Sequence, residues 1–324
     1  MNATTHTRTT VGRRHRRAAD VIEEHARSGR TFTAAGVRSF VREAGSGPTV
    51  LCMHGMWGSS FLWRKVLAEL ALRDLRAVVF DLPGFGLAER PRDYDYSWTG
   101  LGRFAAAAVE ELELVRFHLV VHDIGGPVGF ELATALPERV ASLTILNTMI
   151  DVAEFKPPWT MRPFRVPLIG NLWLGGMTPP LFRFLMGLQG IGDRSKVTTP
   201  ELDAYLRLLK GVDGGRSFLR VMRSAETTPE KQLLYRRAVG GTRRPVQVVW
   251  AVDDPALKLS SYGEKAREAA GLEDIQRLPG KHFFQEDQAS GLATRIADFA
   301  SECRRDERRR RSAPRACPCA ATGE

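Results

Sequence analysis

The segment running from Phe117 to Leu136 constrains the fold most. It opens with an apolar, β-rich run, Phe117–His122, bends at Asp123, and passes through Gly125 and Gly126 into a helical pattern closed by Pro137. A strand that turns directly into a helix pushes the residue at the bend out at the carboxyl end of a sheet. Small residues must follow so that helix and strand can pack closely. Asp123 then has two readings: an exposed nucleophile, or a carboxylate that caps the helix. The hexapeptide Val121–Gly126 alone leaves both open.

The same rhythm extends along the chain. Thr31–Glu43 reads as a hairpin turning at Gly36. Strands follow at Val50–His54, Arg76–Asp81, Phe117–His122, Val140–Asn147, Pro245–Val252 and Asp274–Leu278, with helical patterns between them. Such alternation predicts an α/β fold: a mostly parallel eight-stranded sheet with helices on both faces. Between 151 and 243 the pattern is helical and broken by Pro157-Pro158, Pro167, Pro179-Pro180 and Gly214-Gly215. The expected organisation is a basic extension over 1–30, a core over 31–150, a helical cap over 151–243, a second core part over 244–302, and a disordered basic tail over 303–324.

The net charge of +10 raises the question of nucleic acid. Residues 1–19 carry +5 of it and residues 303–324 carry +4, which leaves +1 for the body between. The basicity sits in the ends rather than on a binding face, so no nucleic-acid partner is expected. No apolar run of membrane-spanning length occurs, and the N-terminus lacks the apolar middle of a signal peptide. A cytoplasmic protein without membrane contact is expected. Cys52 reads as a core thiol. Cys303, Cys317 and Cys319 have no spacing that suits a zinc site or a disulfide framework.

Chain order narrows the choice at Asp123. A hydrolase triad on such a sheet runs nucleophile, acid, histidine. Among the seven histidines, His6, His15, His25, His54 and His118 precede Asp123. His122 adjoins it and should point to the other face of its strand. His282 remains, in a loop after a strand, where open α/β folds bind ligands. The acid is expected at Asp254, after Val246–Val252, with Asp253 as fallback and Asp151 as a weaker alternative. Backbone N–H groups of Ile124 and of Met56, in the turn after His54-Gly55, are the candidate oxyanion donors.

These segments together resemble the α/β-hydrolase superfamily, and most of all its Asp-nucleophile branch of haloalkane dehalogenases and epoxide hydrolases. The stretches are HGMWGSSFLWRKV from His54, DLPGFGLAERP from Asp81, VHDIGGPVGFELA from Val121, SLTILNT from Ser142, VVWAVDDPAL from Val248 and LPGKHFFQEDQ from Leu278. They cover roughly residues 31–302 in family order. The resemblance implies a dehalogenase-like hydrolase with an inserted cap, needing no metal or other cofactor. Two positions depart from it: Ile124 stands where a halide-holding Trp is usual, and Met56 where Asn is frequent. Trp57, Trp159 and Trp173 are the candidates to replace them. Epoxide hydrolysis would require cap tyrosines, for which only Tyr205 and Tyr235 are available.

The chemistry follows from the nucleophile. A carboxylate is anionic at neutral pH without a base beside it, and attack on an sp³ carbon gives an ester that His282 and water then hydrolyse. The partners expected are a small hydrophobic substrate and water. Epoxide hydrolysis is the first alternative. A binding protein of the same fold whose catalysis has lapsed is the second.

Overall fold

The computed structural model describes residues 16–241 and 244–312. Eight strands form one sheet: β1 (Arg30–Ala34), β2 (Val37–Ala44), β3 (Thr49–Met53), β4 (Arg76–Phe80), β5 (Phe117–His122), β6 (Val140–Leu146), β7 (Val246–Ala251) and β8 (Gln276–Leu278). Their spatial order is β1-β2-β4-β3-β5-β6-β7-β8. Only β2 is antiparallel to its neighbours, and β3 through β8 run parallel. From β3 the chain winds first to β4 on one side and then to β5 on the other. The switch opens a crevice beyond the carboxyl ends of β3 and β5, the place where such sheets take ligands.

Burial explains the composition of the strands. Every residue of β5 is buried, and so is β3 apart from Thr49. A parallel strand covered on both faces reads as a continuous apolar run. The edge strand β1 alternates exposed and buried residues instead.

The covering helices are α1 (Ala18–Arg27), α2 (Arg64–Ala71), α3 (Trp98–Glu111) and α4 (Gly125–Ala135). Five more lie between β6 and β7: α5 (Pro167–Gly175), α6 (Pro179–Leu185), α7 (Thr199–Lys210), α8 (Arg216–Arg223) and α9 (Pro229–Gly240). Then come α10 (Glu264–Ala270) and α11 (Ala289–Ser312). No helix among the described residues is long and apolar enough to cross a membrane.

Both ends differ from the expectation. Residues 18–27 are not a plain extension. The α1 helix packs on α7 and buries Val21 and His25, whose Nε2 lies 2.9 Å from Ser60 Oγ. At the other end α11 runs on past Cys303 to Ser312, where a disordered tail was expected. Arg and Glu favour helix, Cys303 is buried, and Arg116 pairs with Glu307 from the end of the sheet. The expectations for residues 1–15 and 313–324, including Cys317 and Cys319, lie outside the described residues.

Candidate active site

Asp123 sits at the bend between β5 and α4 with φ of 53°, a left-handed conformation unusual for a residue with a Cβ. Three bonds hold it there. Its N–H donates to the Asn147 carbonyl (3.0 Å), its carbonyl accepts from Thr148 Oγ1 (2.5 Å) and from the Gly126 N–H (2.9 Å). The small residues around the bend are required by distance. A Cβ on Gly125 would lie 2.7 Å from the Met53 and His54 carbonyl oxygens, and one on Gly55 would lie 2.2 Å from the Asp123 Cβ.

The carboxylate points back across the crevice. Its Oδ1 accepts the Met56 N–H at 2.6 Å. Its Oδ2 lies 3.3 Å from His282 Nε2. The other ring nitrogen, Nδ1, donates to Asp254 Oδ2 at 2.7 Å. Asp254 is fully engaged: Oδ1 accepts the Ala256 and Leu257 N–H groups (2.8 and 3.0 Å), and Oδ2 also accepts Asn147 Nδ2 (2.8 Å). Asn147 is fixed in turn, because its Oδ1 accepts the Ala251 N–H at 2.8 Å. Asp253 and Asp151 are elsewhere. Asp253 takes the Gly280 N–H, and Asp151 binds Arg236 through both oxygens.

Protonation follows from this geometry. Burial disfavours the charged imidazolium, but Asp254 and Asp123 on its two sides outweigh it and raise His282 to about 10. Burial likewise opposes the charge on both carboxylates, and the bonded His282 holds each below the ordinary value. With both carboxylates ionised, the resting centre is a carboxylate–imidazolium–carboxylate array.

Asp123 and His282 form part of the wall of a cavity of about 80 Å³. Most of the rest is apolar, including Ile124, Met149, Met161, Val221, Met222 and Phe283. Trp57 lines it, as the sequence suggests. Trp98 lines it too, a residue that reads in sequence only as the start of a helix. Both indoles are buried, and neither Nε1 has a hydrogen-bond partner among the described residues. The other candidates fall away. Trp159 is 59% exposed and lines a neighbouring hollow. Trp173 lines neither space; it is half-buried on α5 and packs against the hydrophobic core. Tyr205 is buried and donates its hydroxyl to Glu286, and Tyr235 donates to Glu131 Oε1 at 3.0 Å. No tyrosine lines the cavity.

Beneath Tyr205 lies a buried polar cluster. Arg64 binds Glu286 through both of its terminal nitrogens, with Nη2–Oε2 at 2.9 Å, and Glu201 of α7 at 2.7 Å. Lys65 Nζ adds a contact to Glu286 at 2.8 Å. The loop that carries His282 is thereby tied both to α2 and to the insertion. No group of side chains among the described residues could hold a metal ion.

Residues 48–171 match the α/β-hydrolase fold family. The chain has the α/β-hydrolase fold. The hydrolase is 27% identical over 286 residues to a haloalkane dehalogenase of Mesorhizobium japonicum, covering 82% of this chain and 88% of that one. It is also similar to a haloalkane dehalogenase 2 of Mycobacterium bovis, at 25% identity over 83% of this chain and 93% of the other. In sequence, then, the hydrolase is haloalkane dehalogenase-like. Among the crystal structures that share its fold, two are informative. One is a loop variant of a haloalkane dehalogenase from Bradyrhizobium elkanii (TM-score 0.70, 21% identity, 87% of this chain and 99% of that one). The other is an epoxide hydrolase from Vigna radiata (TM-score 0.66, 21% identity, 85% and 98%).

Proposed function

We propose that the hydrolase displaces a leaving group, most simply halide, from an sp³ carbon by way of a covalent ester on Asp123. The observation that carries this reading is the split environment of the Asp123 carboxylate. Oδ1 is held by the Met56 N–H, while Oδ2 lies 3.3 Å from His282 Nε2 in the wall of an apolar cavity. Oδ2 attacks carbon and the carbon–halogen bond breaks towards halide. Oδ1 becomes the ester carbonyl oxygen, already seated on one oxyanion donor, with the Ile124 N–H at the start of α4 as the second.

Forming the ester removes a negative charge from beside His282. Its proton is then held by Asp254 alone and is lost more readily. The neutral imidazole takes a proton from water, the water oxygen attacks the ester carbonyl, and Asp123 and the alcohol are released. Asp254 fixes the imidazole and stabilises its charge. The helical insertion, which supplies Met161, Val221 and Met222 to the cavity wall, serves as the cap that keeps bulk water out.

Trp57 and Trp98 supply what Ile124 and Met56 lack. A buried N–H without a partner costs free energy, and a departing halide would satisfy it. Epoxide opening gains no comparable support, because both tyrosines of the insertion are bonded away from the cavity.

Intact-mass analysis of a His282→Phe variant mixed with haloalkanes and epoxides tests the scheme. The expected result is a persistent mass gain that maps to Asp123, appears with haloalkanes and is absent from the doubly substituted Asp123→Ala, His282→Phe protein. A gain that survives the Asp123 substitution, or none across the panel, would overturn it.

A further inference from the structure

Apart from Asp123 and His282, the only ionisable side chain lining the cavity is Arg165. It is exposed, at the end of the turn before α5, and makes no ion pair among the described residues. Beside the cavity opens a hollow of about 540 Å³ that shares Pro157, Pro158, Gln189 and Ala256 with it. Its charged lining is Lys156, Arg162 and Lys258, and no carboxylate lines it. Neither Lys156 nor Lys258 has an ion-pair partner among the described residues, and the Arg162 Nε is bound only to the Pro157 carbonyl, at 3.1 Å. The nearby acids are spoken for: Glu154 pairs with Lys265, and Asp151 with Arg236.

Three cations without ion-pair partners among the described residues thus line the hollow, and a fourth, Arg165, lines the cavity that adjoins it through Pro157, Pro158, Gln189 and Ala256, on a body whose net charge is only +1. Like charges crowded at a concave site repel one another and gain nothing for folding. They do focus a positive potential that draws in anions. Guanidinium groups suit carboxylates in particular, because the planar fork matches both oxygens.

Building on the displacement chemistry above, we propose that the substrate is an anionic amphiphile. Its apolar chain carries the leaving group to Asp123, and its carboxylate stays at the mouth against Arg165 and the Lys156, Arg162 and Lys258 hollow. The balanced reaction converts an ω-halocarboxylate and water into an ω-hydroxycarboxylate, halide and one proton.

Binding and turnover test the two layers separately. Asp123→Asn protein, which forms no ester, is titrated calorimetrically with hexanoate and with the neutral isostere hexanamide. Hexanoate is expected to bind more tightly, by about two- to fivefold for each engaged cation. The preference should shrink as ionic strength rises from about 0.02 to 0.5 M. Arg165→Gln and Lys258→Glu, both at exposed or half-exposed positions, should each narrow it. The wild-type kcat/KM for ω-bromohexanoate should exceed that for ω-bromohexanamide by a similar factor. Equal binding of the two unreactive ligands, or no binding of either, overturns the anion site. Tighter hexanoate binding that is insensitive to Arg165→Gln and Lys258→Glu also overturns it. A hexanoate preference without halide release from either bromide leaves the anion site standing and removes the dehalogenation chemistry.

Discussion

His122 Nε2 donates to the main-chain carbonyl of His282 at 2.9 Å, and the two rings lie 4.7 Å apart. A carbonyl only accepts, so the His122 proton is on Nε2. Its Nδ1 is buried without a partner among the described residues. Burial, aided by the neighbouring His282, pushes His122 down to about 3. A neutral imidazole therefore pins the backbone of the residue that changes charge in the proposed scheme. His122→Gln, whose amide can donate the same bond, should keep most of the ester-hydrolysis rate. His122→Leu should slow that step and cost about 1–3 kcal/mol of stability, the usual penalty for a buried acceptor left bare. Single-turnover kinetics with denaturant melts read both effects. Equal rates in the two variants would show that packing alone matters.

Asp254→Asn should leave ester formation fast and slow its hydrolysis by about 10²–10⁴-fold, because the imidazole loses its orienting and charge-stabilising partner. Rapid-quench mass spectrometry would show ester accumulating on Asp123. Unchanged hydrolysis would place the supporting acid elsewhere.

The pH dependence of stability has a defined sign. His282 is raised from 6.5 to about 10 on folding, so its contribution is fully present below pH 6.5 and is lost as pH rises through about 10. Asp123 and Asp254 are lowered from 3.8, so theirs is present above that value and lost as pH falls through the lower folded values. Urea melts across pH should show an alkaline decline that flattens in Asp254→Asn. An identical decline in both proteins would assign it to other groups.

Trp57→Phe and Trp98→Phe each remove an indole N–H while keeping most of the ring. Each should weaken halide binding, read by fluorescence quenching of the remaining tryptophans. Each should also slow ester formation by about ten- to a hundredfold, the worth of one hydrogen bond to a charged group of roughly 1.5–3 kcal/mol. No change in either variant would leave the leaving-group site unassigned to these rings.

Gly55→Ala would bring a Cβ to 2.2 Å from that of Asp123. Activity should fall at least tenfold even where the protein still folds, since angstrom-scale displacement of a nucleophile costs rate on that scale. Circular dichroism beside kinetics separates the two effects. Full activity in the variant would mean that the turn relaxes without moving Asp123.

What the sequence shows and what it hides differ in range. Asp123, Asp254 and His282 each follow a strand. Strand ends are marked locally by Gly125, Pro255 and Gly280, so chain order leads to the set that the structure brings together. The partners of Tyr205 and His122 are set by contacts to Glu286 and to the His282 backbone, which lie 81 and 160 positions away. No local pattern announces such contacts. Trp98 is similarly hidden: it starts a helix and becomes part of the cavity wall only because α3 packs against α4. The helix beyond Cys303 was masked by its arginines, which read as a solvated tail until one face is seen to rest on the sheet.

The buried Arg64, Glu286, Glu201 and Tyr205 cluster has a consequence for how the molecule comes apart. Removing either partner of a buried charge pair costs about 3–5 kcal/mol, and peeling α7 from the core takes Glu201 away from Arg64 and the Tyr205 hydroxyl away from Glu286. The insertion therefore has no inexpensive route to separate melting. Amide protons of α7 should exchange with solvent in the same global opening as those of β5, and calorimetry should record a single transition for insertion and sheet together.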